Sequence, residues 1–252
     1  SALWLSERDD LYVLGFEPDL NNFLKLKNGK KSNQNEHELR LKLDGSINRH
    51  ERLFKKVNLK SFDIYNIAID NVKKVERKFF YSLGEKFSQC SSLFKPARDD
   101  LITNLGSKEL IDVNSLDNYL DLINWNNFES NIIEFLKIDT QGNDLNVLKS
   151  CSKYLENICF IQAEYNIHNS YANTHDKKKS FIYMKDFLKK YHFFCYYYTD
   201  VDAMFVNMRL HKYILKNKIL DNCIDFKDGL YLKSLFPFKI NGRLRIYCYL
   251  RD

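Results

Sequence analysis

Glycine is scarce, with 8 residues in 252. The eight stand at positions 15, 29, 45, 84, 106, 142, 229 and 242, so no G-x-G exists anywhere. That leaves out the glycine-rich loop whose bare backbone comes close to a bound cofactor. No apolar run approaches the roughly 20 residues needed to cross a bilayer, so a soluble protein without a membrane span is expected. The chain opens on Ser1, and no charged segment leads into an apolar stretch. It therefore reads as a fragment without a signal peptide. Cysteine is present at 90, 151, 159, 195, 223 and 248 but never as C-x-x-C, and several of these lie in apolar runs. Reduced, buried thiols of a cytoplasmic protein are expected instead of disulfides or zinc. The six His are scattered without a pair at ligand spacing, so no metal is expected. There is no block of one charge sign, although 39 basic against 33 acidic side chains give a formal +6. Such a spread favours mild attraction to anions but reads mainly as the Lys and Asn bias of an AT-rich coding sequence. No internal repeat divides the chain, whose length allows one large α/β domain or two small ones.

What is present centres on residues 131 to 149. Ile132, Ile133, Phe135, Leu136 and Ile138 form a nearly continuous apolar run, as in a strand buried on both faces of a parallel sheet. Polar residues begin at Asp139. Gly142 permits a sharp turn, and Asn143 or Asp144 is suited to cap the next helix through a side-chain oxygen. Leu145, Leu148, Ser152 and Leu155 repeat at helical spacing. Ligands of open parallel sheets bind outside the carboxyl ends of the strands, where Asp139 would stand.

Leu11 to Phe16 reads as a buried strand ended by Glu17-Pro18, with a helix from Asp19 to Lys27. A carboxylate placed like Glu17 accepts hydrogen bonds from ribose hydroxyls in nucleotide-binding α/β folds. Residues 1 to 10 read as a helix end, and the charged segment 30 to 60 as helix or loop. Ser61 to Ile69 reads as one strand, followed by strands over Glu76 to Ser82 and Leu110 to Val113. Ile158 to Glu164 is the neighbour of the 132–138 strand, so Asp139 and Glu164 would meet on one rim and accept or relay a proton there. Polar residues 168 to 179, with Tyr171, read as a mobile loop over the mouth. Phe181, Met184, Leu188 and Tyr191 share one face of a helix, and strands follow at 192 to 198 and 202 to 207.

The central run resembles the hallmark of the FkbM family of S-adenosylmethionine-dependent methyltransferases, approximately K-I-D-T/V-E/Q-G-x-E/D-x-x-V-L. Lys137, Ile138, Asp139, Thr140, Gln141, Gly142, Asp144, Val147 and Leu148 match it in register. The family's F-E-P is matched by Phe16, Glu17 and Pro18, its N-x-A-L/I by Asn66 to Ile69, and its S-S-L by Ser91 to Leu93. Ser115 to Leu120 is similar to its T-L-D-D segment, and Asp202 to Asn207 to its D-x-L-F-V-N strand. The resemblance implies a Rossmann-like class I methyltransferase sheet, α/β and mostly parallel with an antiparallel last strand, over residues 1 to 208. It implies S-adenosylmethionine as cofactor, with Glu17 and Pro18 at the ribose and Asn66, Ile67 and Ala68 along the adenine. It implies methyl transfer to a hydroxyl of a sugar, glycan or related small molecule, with Asp139 positioning or deprotonating the acceptor, aided by Gln141 or Glu164.

Alternatives are an RNA ribose methyltransferase, although no aromatic stacking module makes nucleic acid an expected partner, and an inactive scaffold of the same fold. The family's first strand and its glycine loop, which resembles D-x-G-A-N-x-G, have no counterpart here. Residues preceding Ser1 are expected to supply them, since a gap in the sheet would be very destabilising. Residues 209 to 252 read as a basic, aromatic extension packed on the domain as an extra layer or serving as an oligomer contact.

Overall fold

The computed structural model describes residues 11–28, 62–84, 87, 90–128, 130–165, 170–172, 174, 176–216 and 243–248. The readings for residues 1 to 10 and 30 to 60 lie outside these. The described residues form a mixed α/β fold with two sheets. Its strands are β1 (Leu11–Phe16), β2 (Phe62–Tyr65), β3 (Ala68–Ile69), β4 (Glu76–Leu83), β5 (Leu105–Asn114), β6 (Ile133–Ile138), β7 (Ile158–Glu164), β8 (Phe193–Tyr198), β9 (Asp202–Asn207) and β10 (Arg243–Cys248). Among the described helices are α1 (Leu20–Asn28), α2 (Asp99–Thr103), α3 (Leu116–Leu120), α4 (Asp144–Ser150), α5 (Lys177–Lys189) and α6 (His211–Lys216).

The main sheet has seven strands in the order β2-β1-β10-β6-β7-β9-β8. Its junctions are parallel from β2 through to β7, whereas β9 runs antiparallel to both β7 and β8. β6 and β7 sit mid-sheet, as their nearly continuous apolar runs require, because both faces are covered. Leu136, Ile138, Ile161, Ala163 and Phe205 pack on one side with Leu148 of α4 and Leu188 of α5. Phe135, Phe160 and Met204 face the other side with Ile214 of α6.

The slot between β1 and β6 holds β10, parallel to both neighbours. Cys248 pairs with Phe16 on one side and Ile138 on the other, so all three strands end at one level.

The expected strand from Ser61 to Ile69 is two strands. β2 extends the main sheet, whereas β3 leaves it to pair with β5 in a three-stranded sheet of order β3-β5-β4. β5 is also longer than the Leu110–Val113 strand expected, because Leu105 to Leu110 pairs with β4 through residues with much exposed surface. One-sided exposure of that kind leaves no continuous apolar run to read.

Candidate functional site

Three elements end at the carboxyl rim of the main sheet with an acid beside them. Glu17 follows β1, Asp139 follows β6, and Glu164 is the last residue of β7. With β10 lying between β1 and β6, Glu17 and Asp139 are two strand spacings apart, about 10 Å at the backbone.

Glu17 is buried and its Oε1 accepts the Asp19 N–H at 2.9 Å. Pro18 supplies no donor and leads into α1, whose Asn22 N–H is accepted by the Asp19 carboxylate at 3.0 Å. The second Asp19 oxygen accepts the Ser82 hydroxyl at 2.8 Å, tying α1 to the smaller sheet.

Asn66 donates its amide to the carbonyls of Glu17 and Pro18 at 2.9 and 3.1 Å. Three residues further on, the Ile69 carbonyl accepts the Asn143 amide at 3.0 Å. An extended three-residue step spans about 10 Å, so Asn66 to Ile69 forms a strap from the end of β1 to the turn after β6. Within it Asn66 is exposed, Ile67 is buried and Ala68 is wholly enclosed, pairing with Val113 and packed into the main core. The strap thus brings Asn66 to Glu17 and Pro18, while Ala68 faces packed side chains.

Asp139 and Glu164 are side by side because Ile138 and Ala163 are paired just before them. Gln141 joins them. Its amide Nε2 donates to Asp139 Oδ1 at 2.9 Å and to Glu164 Oε2 at 2.7 Å, all three side chains being buried. Asp139 Oδ2 accepts from Lys137 Nζ at 3.0 Å, which balances one of the two negative charges.

The bridge depends on an unusual backbone. Gln141 has φ of 52° and Gly142 of 106°, both in the left-handed region. For a non-glycine residue this costs on the order of 1–3 kcal/mol, and such strain gathers at functional sites. Neighbours hold it in place. Ser92 donates to the Gln141 carbonyl at 2.9 Å, and the Tyr171 hydroxyl lies 3.3 Å from Gln141 Oε1.

Tyr171 is itself anchored. It is buried, forms a bridge with Pro96, and its neighbours Ser170 and Ala172 pair with Ala97 and Lys95. Ser92 is likewise a brace.

The helix after the turn is capped otherwise than expected. Asn143 stands at the N-cap position without a side-chain cap, since its amide goes to Ile69. Asp144 turns inward. Its Oδ2 accepts from the Thr140 N–H and hydroxyl at 3.3 and 2.8 Å, and its Oδ1 from the Glu164 N–H at 3.0 Å. Burial, and secondarily the charge of Asp139, push the Asp144 carboxyl up to about 7 against the pull of these donors.

Sequence reasoning found Asp139, Gln141 and Glu164 but missed the inward role of Asp144. The signal was its place in the hallmark register, which a simple capping role does not demand.

A cleft of about 170 Å³ opens beside Glu164 between α4 and α5, with Asn146, Lys149, Thr174 and Ser180 among its walls and Phe94 and Tyr165 supplying aromatic surface. Glu164 is thus shared by the bridge and the cleft. No helix among the described residues is long and apolar enough to cross a membrane.

Residues 6–195 match the family described as the methyltransferase FkbM domain, well over half of the chain. No curated protein and no solved structure matches it. The matched span contains both the β1 acid and the β6–α4 turn with its carboxylate bridge, and the chain belongs to the FkbM methyltransferase family.

Proposed function

We propose that this chain is an S-adenosylmethionine-dependent O-methyltransferase acting on a hydroxyl of a sugar, glycan or related small molecule. The observation that carries the reading is the rim itself, with Glu17 at one end and the Asp139–Gln141–Glu164 bridge two strands away. In this reading the main sheet is a Rossmann-like class I methyltransferase sheet, with residues 1 to 208 forming the methyltransferase domain. The extension from 209 reaches into it through β10. A cytoplasmic location accords with Cys151 and Cys159 lying in the core.

The donor set suits the cofactor at its ribose end. A buried carboxylate is an acceptor for two vicinal hydroxyls, and the Asn66 strap fixes the backbone of Glu17 and Pro18 around it. Ile67 and Ala68 would stiffen that strap from its packed side. Bound S-adenosylmethionine supplies a methyl group already activated on a sulfonium, so the protein's work is alignment and proton acceptance. The cleft beside Glu164 would admit the acceptor. Asp139 would hold its hydroxyl and take the proton, while Gln141 keeps the two carboxylates from repelling each other apart. Lys137 offsets the remaining charge.

Two measurements test this. Glu17→Ala should weaken S-adenosylmethionine binding about 10- to 100-fold by calorimetry, the loss of charge-assisted hydrogen bonds. Unchanged affinity would remove Glu17 from the cofactor site. Asp139→Asn should lower transfer of radiolabelled methyl to a panel of sugars by about 10²–10⁴-fold while leaving cofactor affinity nearly unaltered. Full activity in that variant would remove Asp139 from the chemistry.

A further inference from the structure

We propose that Asp144 is a positioning residue that clamps the carboxyl ends of β6 and β7 together and so sets the Asp139–Gln141–Glu164 bridge. Paired backbone bonds carry the two strands as far as Ile138 and Ala163. Beyond that point β6 turns away at Asp139, and the Glu164 N–H meets a side chain, Asp144 Oδ1, at 3.0 Å. The other carboxylate oxygen holds Thr140 by both its N–H and its hydroxyl. One buried group therefore continues the ladder between the residue following Asp139 and the residue that carries the second acid.

Gln141 sits between these anchors, one residue past Thr140, and reaches Glu164 at 2.7 Å. If the two anchors separate, a 2.7 Å bond across them lengthens. The left-handed backbone of Gln141 also loses one of the restraints that hold it.

The chemistry of the clamp is specific. All three contacts are donors toward Asp144, which only a group accepting on both edges satisfies. Asparagine of the same shape accepts on one edge and presents N–H to a donor on the other. Thr140→Val removes a single donor and keeps the volume.

The role of the clamp in turnover rests on the methyl-transfer reading, but its mechanical part does not. The test uses the full chain with labelled glutamine, following proton exchange of the Gln141 side-chain amide with water by NMR at pH 8. Both amide protons are engaged by carboxylates in the wild type, so exchange should be slow. Asp144→Asn should accelerate it about tenfold or more, and Thr140→Val by a smaller but measurable factor. Unchanged Gln141 exchange in a folded Asp144→Asn chain overturns the proposal. Should that variant fail to fold, unchanged exchange in Thr140→Val overturns it equally. In the same variants S-adenosylmethionine affinity should hold, while methyl transfer to any sugar accepted by the wild type falls about 100-fold in kcat, the cost of roughly 1 Å of misplacement. A wild type that transfers no methyl group at all counts against the methyl-transfer reading and leaves the amide result standing.

Discussion

Asp144 couples two effects that pull in opposite directions. Its surroundings donate three hydrogen bonds to it, yet burial, with the Asp139 charge behind it, disfavours ionisation strongly enough to raise the carboxyl from 3.8 to about 7. Around it stand Asp139 just past β6, Glu164 and Tyr165 at the end of β7, and Lys149 on its own helix. A carboxyl raised in the folded state binds its proton more tightly there than in the unfolded chain. Its contribution is therefore whole below pH 4, declines between pH 4 and 7, and is level above. Urea unfolding of the wild type and Asp144→Asn across that range should show the wild type losing ground to the variant by at most about 4 kcal/mol. A pH-independent difference would mean that the ionised group is not penalised. At this scale the sequence showed Asp139 and Glu164 because an apolar strand ending in an acid marks a rim. It did not show Ser92 or Tyr171 as braces of Gln141, because those contacts join segments far apart in the chain and carry no local pattern.

The β6–α4 unit is the element on which the site stands, and its packing explains how a strained turn is kept. Leu148 is fully enclosed between α4 and the sheet, alongside Leu136 and Ile138. Leu148→Ala should cost about 2–5 kcal/mol in denaturant unfolding, a cavity value for a site that cannot collapse. A loss below about 1 kcal/mol would show that α4 is held mainly by its polar clamp. Leu110→Thr on β5 should by contrast change stability by no more than about 0.5 kcal/mol, since that side chain is largely exposed. The same contrast explains what could be read in advance. β6 and β7 announce themselves by nearly continuous apolar runs, and α5 by the spacing of its buried Met184 and Leu188. The half-exposed β5 has no such run. The break between β2 and β3 falls inside a continuous β-like sequence, and the Asn66 and Asn143 side-chain bonds mark where the chain changes sheets.

For the molecule as a whole, the decisive arrangement is the place of β10. Within the main sheet, β1 and β2 form one block and β6, β7, β9 and β8 another, and among the described residues the ladder between the blocks passes through β10. Glu17 belongs to the first block and the carboxylate bridge to the second. The distance between the proposed cofactor end and reacting end of the site is thus fixed by a strand far from both in sequence. Periodicity cannot place such a strand, because Arg243 to Cys248 reads as a short β segment wherever it pairs. A backbone test isolates the joint. Ile246→Pro removes an N–H and forces the ring against a neighbouring strand in a segment flanked on both sides, at a cost of about 3 kcal/mol or more. Thermal unfolding of that variant should lose its single cooperative step or shift strongly downward, and S-adenosylmethionine affinity should fall even though every residue of the rim is intact. If both the melt and the affinity match those of the wild type, the two blocks are held together by the packed faces of the sheet, and β10 does not set the span between Glu17 and Asp139.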